Sequence, residues 1–315
     1  MKKKNYAKKA LAPALLGAIC SLVALTSVSY AWFTMGNTAE VGNIDVNVQA
    51  ADGMQVSVDA ENWKSVISLA ELNGVTSNVI SSDKFSPISS VGTVTDGVQK
   101  MFLGNVESNG KITATETTGN YQMFDLYVKV DVDSTLYLDI GSSVVDGTEG
   151  KNTHLAARVS FSDLGNVAYD ANYSAETAKA LKASTTAVIW EPNAKLHTAS
   201  AIASGKATSG AAIATYKGVN AVITEPNDIK DAETGAVTKT YDSHFSDVTP
   251  KQPAYDSNLA TSAKQELLSL EAGVNKVRIY IWLEGQDVDC ANDIAKGSFV
   301  TKLKFTKTAP EQTGE

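Results

Sequence analysis

The densest set of chemically capable side chains in this sequence lies in "EGQDVDCAND", where Glu284, Asp287, Asp289 and Asp293 surround Cys290. Calcium is held by several oxygen ligands, and loops with Asp-x-Asp spacing supply them. Asp287, Asp289 and Asp293 are therefore the candidate metal ligands, with calcium as the ion. The run lacks the central glycine and the bidentate glutamate of a helix-loop-helix calcium loop, and its other reading is a solvated acidic turn after a strand. The same carboxylates bear on Cys290. Negative neighbours raise a thiol's pKa and blunt its reactivity, which predicts a structural cysteine rather than a nucleophile.

Other convergent groups are sparse. His154, His197 and His244 are widely separated and sit in loop-like contexts. The chain has no His-Glu-x-x-His pair for zinc, no Gly-x-Ser-x-Gly elbow, no glycine-rich phosphate loop and no dinucleotide fingerprint. The expectation is a protein that is not an enzyme, with no catalytic residues and no cofactor other than the calcium considered above.

The elements that must carry these residues are strands. In "FDLYVKVDV" Phe124, Leu126, Val128, Val130 and Val132 alternate with Asp125, Lys129 and Asp131. "KVRIYIWLE" sets Val277, Ile279, Ile281 and Leu283 on one face and places Tyr280 and Trp282 on the other, where a loop half-covers them or a contact surface uses them. "SFVTKLKF" opposes Phe299, Leu303 and Phe305 to Lys302 and Lys304. "NIDVNV", "MQVSV", "TLYLDI", "ARVSF" and "TAVIW" are shorter strands of the same kind. A period of two with one polar face is the signature of antiparallel sheets packed on one side. The fold expected is all-β, a jelly-roll-like antiparallel β-sandwich with short helices and long loop insertions. Helical signals are confined to "SAETAKALKA" (174–183), which opens on a serine cap, and "ATSAKQELLSLEAG" (260–273), which ends on a glycine stop. Loop composition marks insertions at about 60–120, 198–214 and 225–258.

Of 315 residues, 43% are hydrophobic and 20% charged, enough for a packed core. The net charge of −8 is uneven. Residues 1–31 hold five lysines and no acid, so the remaining chain has 22 of the 27 basic residues against 35 acidic ones. An acidic body without an Arg/Lys stripe repels phosphate backbones, which excludes nucleic-acid binding as a function. The lysines precede "ALAPALLGAICSLVALTSVSYAWF", an apolar run with Ser29 and Ala31 in the small-residue pattern of a signal-peptidase site. Residues 1–31 are thus read as a signal peptide cut between Ala31 and Trp32. The alternative is an uncut, spanning anchor that would make the chain a membrane-anchored cell-surface or adhesive protein, because the run reaches the ~20 apolar residues this needs. Ile19 is too bulky for lipoprotein processing at Cys20. Export leaves Cys290 as the one cysteine, so the core rather than a disulfide must hold the fold. Residues 32–41 form an N-terminal segment, 42–308 the sandwich and 309–315 a disordered tail.

The stretch "SYAWFTMGNTAEVGNIDVNV" carries a family resemblance. A lysine-led signal, a small-residue cut, an aromatic within two residues, a polar Thr/Asn stretch, and then Gly42-Asn43-Ile44-Asp45 entering a strand resembles the TasA/camelysin family of secreted matrix fibre proteins. The match covers about the first fifty residues; beyond them only size and the all-β pattern agree. Trp32 and the longer loops depart from the family pattern. The resemblance implies a jelly-roll domain, export through a dedicated signal peptidase, contact with the membrane only before cleavage, and polymerisation into extracellular biofilm fibres, with an accessory fibre protein as a further partner. It also implies that Trp32, Phe33 and Met35 belong to a donor segment that inserts into a neighbour's sheet. Camelysin-like members are described as metallopeptidases, an activity that no zinc motif here supports. N-terminal sequencing of the exported product is expected to begin at Trp32; a product retaining residues 1–31 would contradict cleavage.

Overall fold

The computed structural model describes residues 44–80, 86–90, 92–106, 112–139, 141–203, 207–210, 266–285, 287, 289–290, 294 and 297–307. Two sheets pack face to face. Sheet I runs in the order β13 (Leu268–Leu270), β9 (Ser134–Leu138), β15 (Phe299–Thr306), β1 (Ile44–Ala50) and β3 (Val66–Ile67), with β10 (Ser143–Asp146) also on β15. Sheet II runs β12 (Val188–Trp190), β11 (Ala157–Val167), β14 (Gly273–Leu283), β8 (Gln122–Val130) and β2 (Gln55–Ser57). The chain crosses between the sheets repeatedly, from β1 to β2 to β3 and later from β12 to β13, β14 and β15, which makes this the expected all-β sandwich.

Among the described strands the pairings are antiparallel, with one exception in sheet I. There β1 runs parallel to β15, from Ile44 opposite Phe299 to Ala50 opposite Phe305. The first described strand is therefore wedged beside the last.

The core between the sheets holds the predicted inward sets. Phe124, Leu126, Val128 and Val130 of β8 meet Val277, Ile279, Ile281 and Leu283 of β14, with Phe299, Leu303 and Phe305 of β15 facing them. Phe161 of β11 stands edge-on to Phe305, with ring centroids 5.9 Å apart, and so bridges the two sheets. Each such burial contributes about 1.5–3 kcal/mol. Val132 is not part of this row: β8 ends at Val130, and Val132 is 63% exposed.

Sheet I keeps the expected polar outer face, where Lys302 is exposed. Sheet II does not. Its outer face is covered by a third layer built from the later part of the predicted insertion between residues 60 and 120; the earlier part belongs to the sandwich itself, with β3 in sheet I and Leu72 and Ile80 in the inter-sheet core. The hairpins β4 (Val94–Thr95) with β5 (Val98–Gln99), and β6 (Met101–Val106) with β7 (Ile112–Thr117), belong to that insertion. Ile88, Met101, Tyr121 and Ile189 bury Tyr280 and Trp282 completely, at 1% and 0% exposure. Asp125, expected to face solvent, is buried instead; Arg278 donates to both its oxygens at 2.6 and 2.8 Å, and Lys276 lies 3.2 Å away. Gln99 of β5 fastens the layer, its side-chain oxygen accepting from Ser160 Oγ at 2.6 Å and its backbone N–H donating to Tyr280 Oη at 3.2 Å.

The helices are short: α1 (Leu69–Asn73), α2 (Ala175–Lys179) and α3 (Ala199–Ala203). The predicted helix at 174–183 shrinks to α2, because the chain returns to the sheet when Ala183 N–H bonds Leu164 O at 2.9 Å. The helix expected over 260–273 is corrected in its described part. Leu268–Leu270 is strand β13, paired with β9, and Leu267 and Leu270 drop into the core between the sheets. Long-range burial overrides local helix propensity there. Gly273 opens β14 rather than closing a helix; at φ +122° it lies against Val167 O, where a Cβ would sit 2.4 Å away. Among the described residues, no helix is long and apolar enough to cross a membrane.

Phe161→Ala is expected to lower unfolding free energy by about 3–5 kcal/mol, and Val132→Ala by less than about 0.5 kcal/mol. Urea titration reads both, and equal effects would contradict this packing.

Candidate functional site

The acidic run singled out in the sequence does meet other chemical groups, but they come from unexpected places. It follows β14, and its partners come from the outer face of β11 and the segment after β12. Alternation along β11 sends Ala157, Val159 and Phe161 inward and Arg158 outward, opposite Trp282. At 1% exposure, Arg158 has no water to satisfy its charge. Its Nη2 donates to Glu191 Oε1 at 2.7 Å and to Asp287 Oδ2, while Nη1 donates to Ala157 O at 2.9 Å.

Asp289 faces a second set of donors. His197 Nδ1 lies 2.8 Å from its Oδ2, and Thr198 gives its backbone N–H at 2.7 Å and its hydroxyl at 3.0 Å to Oδ1. Asp287 Oδ1 accepts from the Asp289 N–H at 2.8 Å, which turns the loop back on itself. Glu284 is bound by neutral donors, Trp282 Nε1 at 3.1 Å and Ser89 Oγ. Glu191, Glu284, Asp287 and Asp289 are all buried, none more than 6% exposed. The reading of a solvated acidic turn is therefore corrected: this is an interior polar cluster, satisfied by protein groups.

Burial governs its electrostatics. Loss of water raises the Glu191 carboxyl to about 7, against the pull of Arg158, and Asp287 pushes the same way. Asp289 is raised by burial and by Asp287, with His197 opposing. Cys290, wholly buried against the inter-sheet core, has its thiol pushed well above its ordinary value by burial first and then by Asp287 and Glu284. The expected structural, unreactive cysteine fits these surroundings. His154, beside Asp146 at 3.7 Å, is shifted downward by burial.

The other sequence candidates separate clearly. Asp287 and Asp289 come together, but their oxygens are taken by Arg158, His197, Thr198 and the loop's own backbone. Asp293, a further calcium candidate, lies outside the described residues. Among the described residues no three His, Cys, Asp or Glu side chains are placed to hold a metal ion. The His197–Asp289 pair has the geometry of a base oriented by a carboxylate. Its side chains are 1% and 2% exposed, which gives a substrate no face to approach. Ala31, Trp32, Phe33 and Met35 also lie outside the described residues.

Arg158, Glu191 and Thr198 were not singled out in the sequence. The signal was available for Arg158: an arginine between apolar and small residues in "AARVSF" has either an exposed face or a buried carboxylate to meet.

No protein-family model, curated protein or solved structure matches this chain.

Replacing Arg158 with Met strands the buried carboxylates without their shared cation, and is expected to lower stability by about 3–5 kcal/mol at neutral pH. Urea unfolding of Arg158→Met measures this; a midpoint equal to wild type would contradict the pairing.

Proposed function

We propose that this chain is a secreted structural protein whose β-sandwich polymerises head to tail into extracellular matrix fibres. The observation that carries the reading is the run "SYAWFTMGNTAEVGNIDVNV". A small-residue cut site, two aromatics and a polar stretch lead there into β1, which lies beside the central strand β15 of sheet I. Only eleven residues lie between Trp32 and Ile44, so a freed N terminus is tied directly to the sandwich. On its side away from β15, β1 pairs with β3 only at Val48 and Gln49.

Strand addition to a neighbour's sheet supplies main-chain hydrogen bonds for affinity and side-chain pockets for specificity. Trp32, Phe33 and Met35 are the plugs in this account, and buried aromatic anchors typically contribute roughly 2 kcal/mol or more each. Before cleavage the same residues sit within the apolar leader, so proteolysis would license assembly outside the membrane. Head-to-tail insertion does not close on itself, and the product is a filament. The partners proposed are further copies of the chain, a dedicated signal peptidase and an accessory fibre protein. Resemblance to the TasA/camelysin family supports this reading, and the absence of a zinc motif from the sequence argues against the metallopeptidase activity described for some members.

Trp32→Ser combined with Phe33→Ser is expected to leave secretion and the monomer's circular dichroism unchanged while abolishing filaments in negative-stain micrographs. Normal filaments from that variant would reject donor insertion.

A further inference from the structure

The cluster around Arg158 joins three separate pieces of chain. Arg158 comes from β11, Glu191 and His197 from the segment after β12, and Glu284, Asp287, Asp289 and Cys290 from the segment at the end of β14. Sheet II ends here, and nothing else described ties the two segments to β11 through side-chain charge. We propose that the cluster is a pH-sensitive latch: it clamps the segments after β12 and β14 onto sheet II while it holds a proton, and loosens them when that proton is lost.

The charge count requires the proton. Arg158 is the one permanent cation, and it faces Glu191 and Asp287 directly, with Asp289 tied to Asp287 through its N–H. Even a charged His197 leaves three carboxylates against two cations. Like charges in a dry site cannot all ionise, so the set retains a proton near neutrality. That proton belongs to the set rather than to one residue. Donor supply nevertheless favours Glu191 as its seat. Asp289 receives His197 and two donors from Thr198, and Asp287 receives Arg158 and the Asp289 N–H. Glu191 receives Arg158 Nη2 at 2.7 Å.

The direction of the pH effect follows from which state binds the proton more tightly. Burial raises Glu191 from an ordinary 4.5 to about 7, so the folded state holds a proton that the unfolded state has already released. The latch's contribution is complete below the ordinary carboxylate value and is lost as pH rises through about 7. Asp289, raised by burial, acts in the same direction. Cys290, pushed the other way from reactivity, stays a thiol throughout and titrates no part of the device.

Cys290 is a built-in reporter, since it is wholly buried against the inter-sheet core and becomes reachable only when the loop opens. The test labels the full-length chain with iodoacetamide across about pH 5 to 8 and quantifies the Cys290 peptide by mass spectrometry, separately from Cys20. Rates are divided by those of the unfolded chain at each pH. Opening is expected to rise at least about tenfold across this range, one pKa unit's worth, and Glu191→Gln is expected to hold it at the acid level throughout. A flat corrected profile in the wild type, or a rise that Glu191→Gln leaves unchanged, would overturn the latch. Should that variant not fold, infrared difference spectra of the unaltered chain decide. Loss of a protonated carboxyl's carbonyl band as pH rises through about 7 is expected, and the lack of any such band at acid pH would overturn the proposal.

Discussion

Strand β14 is buried on both faces, and this constraint shapes the rest of the molecule. Its inward face, from Val277 to Leu283, is matched by sheet I in the ordinary way of a sandwich. Its outward face carries Lys276, Arg278, Tyr280 and Trp282, and all but Arg278 are essentially without solvent. A sheet cannot leave two aromatics and two cations in a dry layer unless another element arrives with both apolar surface and hydrogen-bond partners. The 86–103 segment together with Tyr121 is that element over the aromatics, and the end of α2 meets Lys276, whose Nζ donates to Lys179 O. Ile88, Met101 and Tyr121 supply the apolar surface, and Gln99 and Ser89 supply the polar partners.

Polar groups along this face therefore form a sequence of paired charges rather than a wet surface. Asp125 neutralises Arg278 and Lys276 near the middle of the strand. At its end Arg158 draws Glu191 and Asp287 together, and Asp289 is taken up by His197 and Thr198. Such networks contribute little net stability compared with apolar packing, but removing one partner is costly. Here they determine where loops that lack regular structure must lie. The same burial explains why carboxylates that read as calcium ligands in the sequence are occupied by protein groups.

The inter-sheet core was legible because each inward row, such as Phe124, Leu126, Val128 and Val130, meets only other apolar residues, so alternation reports it without ambiguity. The outer face of sheet II was not. Asp125 and Lys276 have the polarity of solvent-facing residues, and their burial depends on segments far away in sequence, such as the end of α2, where Lys179 O accepts from Lys276 Nζ. One local clue was present in Asp96-Gly97, which lies between Val94-Thr95 and Val98-Gln99 with both residues at positive φ, the pattern of a two-residue hairpin. The parallel pairing of β1 with β15 left no local trace, since its partners lie more than 250 residues apart along the chain. The candidate site was half legible: Asp287 and Asp289 stood out by density of charge, whereas Glu191 and His197 looked like ordinary loop residues until the fold brought them to Arg158.

The account's central claim is that the 86–103 segment is a third layer of the sandwich, and that 191–198 is fastened onto sheet II beyond β12, rather than both being loose insertions. Amide hydrogen exchange of the purified chain, read by mass spectrometry, tests this most directly. Protection of peptides from these two segments should approach that of β14 and be lost together with it as denaturant is added. Exchange of the same peptides at the rate of free loops, while β14 stays protected, would contradict the claim.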